Sequence, residues 1–189
     1  MAHVLILGGT GGIGRAVAAD ILQHSAAQVT LAGRRPSPRA PVPARPRYQS
    51  VDVTSTSVAA QLQSYDLVVH CAGPFRQRDH RILAACIEQQ IPYVDVADSP
   101  DYVAAALAYS DQATAKGVTC VLSTGVFPGI SNSLVRQGIE QLDQADAVHL
   151  SYLVAGSGGA GLTVMRTTFV ELQTPFLAKV DGAWQEISP

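Results

Sequence analysis

Glycines at positions 9, 11 and 14 follow the apolar run Val4, Leu5, Ile6, Leu7 and open an Ala/Val-rich segment over 16–22. This is G-x-G-x-x-G spacing where a strand should turn into a helix, and the chemistry it serves is the binding of a dinucleotide. One glycine permits the tight turn, one lets the backbone approach a pyrophosphate, and one lets the helix pack closely on the strand. Gly9, Thr10, Gly11, Gly12, Ile13 and Gly14 therefore form the expected phosphate cradle at the positive end of the helix. A turn without a ligand is the alternative; the strand before it and the helix after it weigh against that.

The end of the second strand selects the dinucleotide. Enzymes using NAD place an acid there, about 20 residues on, to hold the ribose 2′-hydroxyl, whereas an arginine accommodates a 2′-phosphate. Here the strand over 28–32 ends in Gly33, Arg34 and Arg35, with no acid. The reading is NADP, with Arg34 and Arg35 offering fork-shaped, charge-assisted hydrogen bonds to the phosphate and Gly33 leaving room for the adenosine. Two solvated arginines opening a loop are the alternative.

Candidates for proton chemistry are fewer. Asp95 and Asp98 lie at or just past the fifth strand, where side chains can face a nicotinamide. Each has a plainer reading, Asp95 as a hydrogen-bonded structural acid and Asp98 as the cap of the next helix. His70 and His149 sit within apolar runs and read as satisfied core histidines, while His3, His24 and His80 read as edge or surface residues. Cys71, Cys86 and Cys120 are odd in number and lack metal-ligand spacing, so reduced thiols and no metal site are expected.

The elements that position these residues alternate regularly. A basic loop over 36–47, with five prolines and three arginines, replaces the second crossover helix. Strands are expected over 48–53, ending in Asp52 and Val53 near the adenine, and over 66–73, nearly all apolar as strands buried on both faces are. Cys71, Ala72 and Gly73 close that strand, and Pro74 and Phe75 turn beyond the carboxyl edge, where open α/β sheets bind ligands. Further strands are expected over 92–97 and 118–123, and helices over 80–90, 100–116 and from 131 or 132 to about 144. The sum is an α/β chain with a doubly wound parallel sheet, the Rossmann arrangement.

Residues 1–145 form this domain, and 146–189 read as the start of a second, mixed α+β domain. It comprises a strand over 147–155, a second glycine pattern at 156, 158 and 161, a helix over 162–177, and a hairpin about Asp181 and Gly182. That second pattern reads as a loop at a substrate cleft rather than another nucleotide site. The hairpin's unpaired edges make self-association, as a homodimer, the expected protein contact.

With 189 residues, 47% of them apolar, the chain can bury one substantial core and part of another. Its net charge of −2 and the lack of a basic patch argue against nucleic acid. No apolar run approaches the roughly 18 residues of a membrane span. The first strand begins almost at Met1, leaving no room for a signal peptide, so a cytoplasmic protein acting on a small molecule is expected.

Four segments resemble the saccharopine dehydrogenase-like oxidoreductases. They are Gly8-Gly-Thr-Gly-Gly-Ile-Gly-Arg15, Val69-His-Cys-Ala-Gly-Pro-Phe75, Cys86-Ile-Glu-Gln-Gln-Ile-Pro-Tyr-Val-Asp-Val-Ala-Asp98 and Gly125-Val-Phe-Pro-Gly-Ile-Ser131. The resemblance covers residues 3–145 and implies an NADP-binding Rossmann domain followed by a larger substrate domain, of which this chain holds only the start. By position it implies that residues 9–14 hold the pyrophosphate, Arg34 the 2′-phosphate, Asp52 and Val53 the adenine, and Ala72, Gly73, Pro74 and Phe75 the nicotinamide ribose and ring. One departure stands out: the branch that makes saccharopine has an acid before its Pro-Gly-Ile turn, where this chain has Phe127. An apolar substrate, or no amino-acid condensation, is the expectation.

Two functions stay open at this point. One is NADP-dependent hydride transfer to or from a small carbonyl, imine or enoyl-type substrate; the other is a regulator that senses NADP without chemistry. A short-chain dehydrogenase is set aside, because none of the six tyrosines has a lysine four residues later.

Overall fold

A computed structural model describes residues 1–34, 46–153 and 162–188. The chain divides into two compact units, Met1–Val154 and Ala155–Pro189.

The first unit is built on a six-stranded parallel sheet ordered β3-β2-β1-β4-β5-β6. Its strands are β1 (His3–Leu7), β2 (Gln28–Gly33), β3 (Arg47–Ser50), β4 (Leu67–His70), β5 (Tyr93–Asp95) and β6 (Cys120–Val121). Alternation along β1 explains the layers. Val4 and Ile6 point to one face, where they join Val29, Leu31 and Val69 and are covered by Val17, Ala18 and Ile21 of α1 (Gly12–His24). Leu5 and Leu7 point to the other, joining Val68 and Tyr93 under Ile82, Leu83 and Cys86 of α2 (Arg81–Glu88). Both faces are buried, so the central strands carry no polar alternation. The strand order reverses between β1 and β4, and their carboxyl ends form the switch-point crevice typical of open α/β sheets.

Several strands are shorter than the sequence predicts. A ladder ends where its neighbour ends: Val51 still donates to the Gly33 carbonyl at 3.1 Å, but Asp52 and Val53 fall in a turn beyond it. At the β6 edge Ser123 takes a left-handed backbone (φ 60) and leads the chain away. The expected long helix over 100–116 is two helices, α3 (Pro100–Ala106) and α4 (Ser110–Lys116), joined by a tight turn over Leu107–Tyr109 and closed by left-handed Gly117. Helix α5 (Ile130–Ile139) stops short of 144, next to Gly138, whose lack of a side chain weakens a helix. Residues 147–153 form no ladder with any described residue, so the strand expected there is not made and His149 is exposed rather than in a core.

In the second unit α6 (Leu162–Glu171) is shorter than expected, and Phe176 and Leu177 belong to the hairpin β7 (Phe176–Val180) and β8 (Ala183–Ile187). Asp181 (φ 49) and Gly182 (φ 83) make the turn, with positive φ at both central positions as a two-residue hairpin demands. The glycine pattern at 156, 158 and 161 lies outside the described residues.

Candidate functional site

The glycine turn uses more glycines than its spacing announces. Gly8 leaves β1 at φ +76, and a side chain there would begin 2.7 Å from the carbonyl of Cys71 at the end of β4. The tight turn therefore belongs to Gly8, which the G-x-G-x-x-G pattern does not count. Gly9 donates to the carbonyls of Ile6 and Ala32, both at 3.0 Å, and a Cβ on it would strike Leu31 at 2.9 Å. Gly14 packs the helix onto the turn, since its Cβ would lie 2.5 Å from the Gly8 carbonyl oxygen. At Gly11 the same test gives 3.1 Å to that oxygen, and at Gly12 it meets nothing within 4 Å. No side chain caps α1 and no acid lies in its first turn. Its positive end faces space open among the described residues beside Gly12 and the exposed Ile13, with the sign a pyrophosphate needs.

At the adenosine end, Arg34 is exposed just past β2, and Arg35 lies outside the described residues. The space beside Gly33, expected to admit the adenosine, is filled by Thr10, whose Oγ1 would be 2.8 Å from a Cβ at 33. Gly33 thus serves the packing of the turn. Asp52 Oδ1 accepts from the N–H (2.9 Å) and the hydroxyl (2.7 Å) of Thr54. Those bonds hold its carboxyl below the usual range, with the charges of Arg34 and Arg78 adding to them. Val53 is half-buried against the core.

Beyond β4, Cys71 donates its N–H to Leu7 at 2.8 Å, and burial, with the charge of Asp95, pushes its thiol up to about 11. Ala72, Gly73 and Pro74 are half-buried at the crevice. Phe75, expected beside the nicotinamide, is only 3% exposed and meets His70 and Tyr102 edge-on, with centroids 5.0 and 5.1 Å away. Its ring supports the turn from beneath and presents no face to a ligand. His70, 0% exposed, pairs Nδ1 with the Tyr93 hydroxyl at 3.0 Å, while Nε2 has no partner among the described residues. Burial, helped by the charge of Arg78, drives its pKa down to about 3, so the ring is neutral.

A family model described as the saccharopine dehydrogenase NADP binding domain matches residues 4–121. The chain belongs to that family. Its cofactor is NADP, and the cradle at Gly12 and the uncapped α1 fit it. Apo saccharopine dehydrogenase (L-Glu forming) from Saccharomyces cerevisiae superposes over 100% of this chain at 19% identity and a TM-score of 0.70. The chain spans 44% of that enzyme's length. The PbgP3 protein from Burkholderia pseudomallei superposes over 64% of this chain and 51% of its own, at 14% identity and a TM-score of 0.50. Likeness at these identities shows the fold. No curated protein sequence matches the chain.

On the side of the NADP-binding domain away from Arg34, the two candidate acids part company. Asp95 is 0% exposed; Oδ1 accepts from the N–H groups of Ser123 (2.8 Å) and Ala97 (3.1 Å), and Oδ2 from the Tyr93 hydroxyl (3.0 Å). Its backbone carbonyl accepts from the Thr124 hydroxyl at 2.6 Å. Three donors hold the buried carboxylate, and through Ser123 it ties β5 to the exit of β6, so Asp95 is a structural acid and its reading as a catalytic acid is corrected. Asp98 is exposed ahead of α3; the cap position belongs to Ser99, and no side chain bonds to that helix end.

A groove of about 490 Å³ opens between the exit of β6 and α5, lined in part by Ser123, Thr124, Gly125, Pro128, Gly129 and Asn132. Gly129 (φ 130) makes its rim, because a Cβ would collide with the Gly125 backbone. Among the described residues no acid lines the groove. Phe127, 54% exposed, stacks on Tyr152 with centroids 5.8 Å apart and planes 13° from parallel. Among the described residues no group of His, Cys, Asp and Glu is placed to hold a metal, and no helix is long and apolar enough to cross a membrane.

Sequence reasoning missed two residues here, Gly8 and Arg78. Arg78 donates from Nε to the Ala72 carbonyl (3.0 Å) and from Nη2 to the Gly73 carbonyl (3.1 Å). The readable signal was the run Arg76, Arg78, Arg81 directly after a turn at the carboxyl edge.

Proposed function

We propose that this domain serves an NADP-dependent oxidoreductase of the saccharopine dehydrogenase-like type, acting on a small carbonyl, imine or enoyl-type substrate. The observation that carries the reading is the uncapped start of α1 facing open space at Gly12, with Arg34 at the end of the neighbouring strand. Gly9, Thr10, Gly11, Gly12, Ile13 and Gly14 would hold the pyrophosphate, Arg34 and Arg35 the 2′-phosphate, and Asp52 and Val53 the adenine side. Cys71, Ala72, Gly73 and Pro74 would flank the nicotinamide ribose. The bound nicotinamide supplies or accepts the hydride, and the protein supplies position and electrostatics. The groove beside Ser123 and Thr124, lined among the described residues by Val121, Leu122, Ile130 and Leu134 and by no carboxylate, suits an apolar substrate better than an amino acid. Asp98, the exposed acid past β5, is the residue to hold or move a proton.

A second reading, an NADP sensor without chemistry, is favoured by one observation. The titratable groups at the carboxyl ends of β4 and β5, His70 and Asp95, are both buried and both engaged. One experiment separates the two readings. The chain, saturated with NADPH, is offered a panel of small carbonyl, imine and enoyl compounds while nicotinamide absorbance is followed. Substrate-dependent oxidation supports the enzyme; NADPH binding without turnover supports the sensor only where a longer protein carrying this domain and a substrate domain is equally silent, because the chain spans 44% of the yeast enzyme's length. The free edges of the β7–β8 hairpin also make self-association the expected contact, which sedimentation velocity would report as a concentration-dependent dimer.

A further inference from the structure

Arg78 has no part in the readings above, yet it stands where a phosphate-recognising group would be most useful. It follows the short turn Phe75–Gln77 and is half-buried. Its two bonds go to the carbonyls of Ala72 and Gly73. Ala72 is the residue whose nitrogen lies 2.8 Å from where a Gly8 side chain would begin. The guanidinium is therefore fastened to the wall that abuts the glycine turn.

Those bonds use Nε and one N–H of Nη2, leaving Nη1 and the outer edge of the fork without an acceptor among the described residues. The nearby acids do not take that edge. Asp52 spends Oδ1 on Thr54, and both Asp79 oxygens accept from Arg81 Nε at 2.8 Å. Burial, then the positive charge of Arg34, act against the charge on Arg78, and the carboxylates of Asp52 and Asp79 offset part of that without bonding to it. A half-buried guanidinium immobilised by two backbone carbonyls, with its outer edge open, is preorganised to take an anion.

We propose that Arg78 is the second arm of the 2′-phosphate site, closing on that phosphate with its free edge opposite Arg34 and so setting the preference for NADP over NAD. The inference rests on the assignment of Arg34 to the 2′-phosphate made above.

The test is calorimetric titration of the whole chain with NADP⁺, NAD⁺, adenosine 2′,5′-bisphosphate and AMP. Equal affinity of the parent for NADP⁺ and NAD⁺ would overturn the Arg34 assignment itself and this inference with it. Given a parent that prefers NADP⁺, Arg78→Gln keeps a donor for the Ala72 carbonyl and removes the charge. It should raise the Kd for NADP⁺ and for the bisphosphate about 10- to 100-fold, the span for hydrogen bonds to charged groups. NAD⁺ and AMP should change by less than about twofold. In the double variant with Arg34→Ala the losses should be less than additive, because both arms grip one phosphate. Equal weakening of NADP⁺ and NAD⁺, or no change in either, would overturn the proposal and leave Arg78 a residue that shapes the loop. Should Arg78→Gln fail to fold by circular dichroism, Arg78→Lys carries the test, with a partial loss confined to the 2′-phosphorylated ligands expected and a loss common to all four ligands, or none, overturning it.

Discussion

The carboxylate of Asp95 takes the backbone N–H of Ser123 at 2.8 Å, and Ser123 sits at φ 60, a conformation that costs a non-glycine residue about 1–2 kcal/mol. The acid at the end of one strand thus holds the strained exit of the next, and with it the mouth of the groove. Asp95→Ala would orphan the N–H groups of Ser123 and Ala97 and the Tyr93 hydroxyl. The expected cost is about 3 kcal/mol or more of unfolding stability, measured by urea denaturation, with NADP affinity in the folded fraction within about threefold of the parent. A variant as stable as the parent would return Asp95 to the list of catalytic candidates.

Gly12 and Gly14 are two residues apart in α1 and should respond oppositely. Gly12→Val places its side chain in open space, so the fold should survive while both NADP and NAD lose at least about tenfold in affinity, since the pyrophosphate needs that space. Gly14→Ala drives a methyl into the Gly8 carbonyl and should cost about 1–3 kcal/mol of stability. Thermal unfolding and ligand titration on the same two proteins check both halves. Unchanged NADP binding in folded Gly12→Val would move the phosphate site elsewhere.

Arg34→Ala should weaken NADP by about 1.5–3 kcal/mol, the range for hydrogen bonds to a charged group, and leave NAD nearly untouched. Raising the salt concentration should narrow the difference between parent and variant, because Arg34 is exposed. Parallel loss of both dinucleotides would place Arg34 on some group the two cofactors share.

His70 makes stability depend on pH in a defined direction. Its pKa is about 3 in the folded protein and 6.5 in the free residue, so below 6.5 the unfolded chain binds a proton the native chain refuses. Stability should be full above pH 6.5 and fall toward pH 3, by up to about 1.4 kcal/mol for each pH unit. The depressed carboxyl groups of Asp52 and Asp79 add their own loss only lower, below the ordinary carboxylate range. Urea midpoints of the parent and of His70→Asn between pH 6.5 and 4.5 isolate the histidine. The variant should be the flatter of the two, and equal slopes would mean that His70 titrates in the native state.

The strand, glycine turn and helix over residues 3–24 were legible in the sequence because their determinants are local. An apolar run, glycines at fixed offsets and an alanine-rich segment each act on neighbours within a turn or a strand. The parallel sheet was legible too, since strands such as β1 and β4 are buried on both faces and read as unbroken apolar runs. NADP followed from an arginine standing where an acid would otherwise be. Other properties depend on partners far away in the chain, and only the tertiary structure decided them. Gly8 carries the tight turn because Cys71, just past β4, leaves no room for a side chain, and Gly33 admits Thr10 rather than adenosine for the same kind of reason. Asp95 became a structural acid when the exit of β6 brought Ser123 to it, and Arg78 is anchored because the loop after β4 offers two carbonyls. A run such as 147–153 has the residues of a strand, but a strand is completed by its neighbour's hydrogen bonds, and none of the described residues provides them.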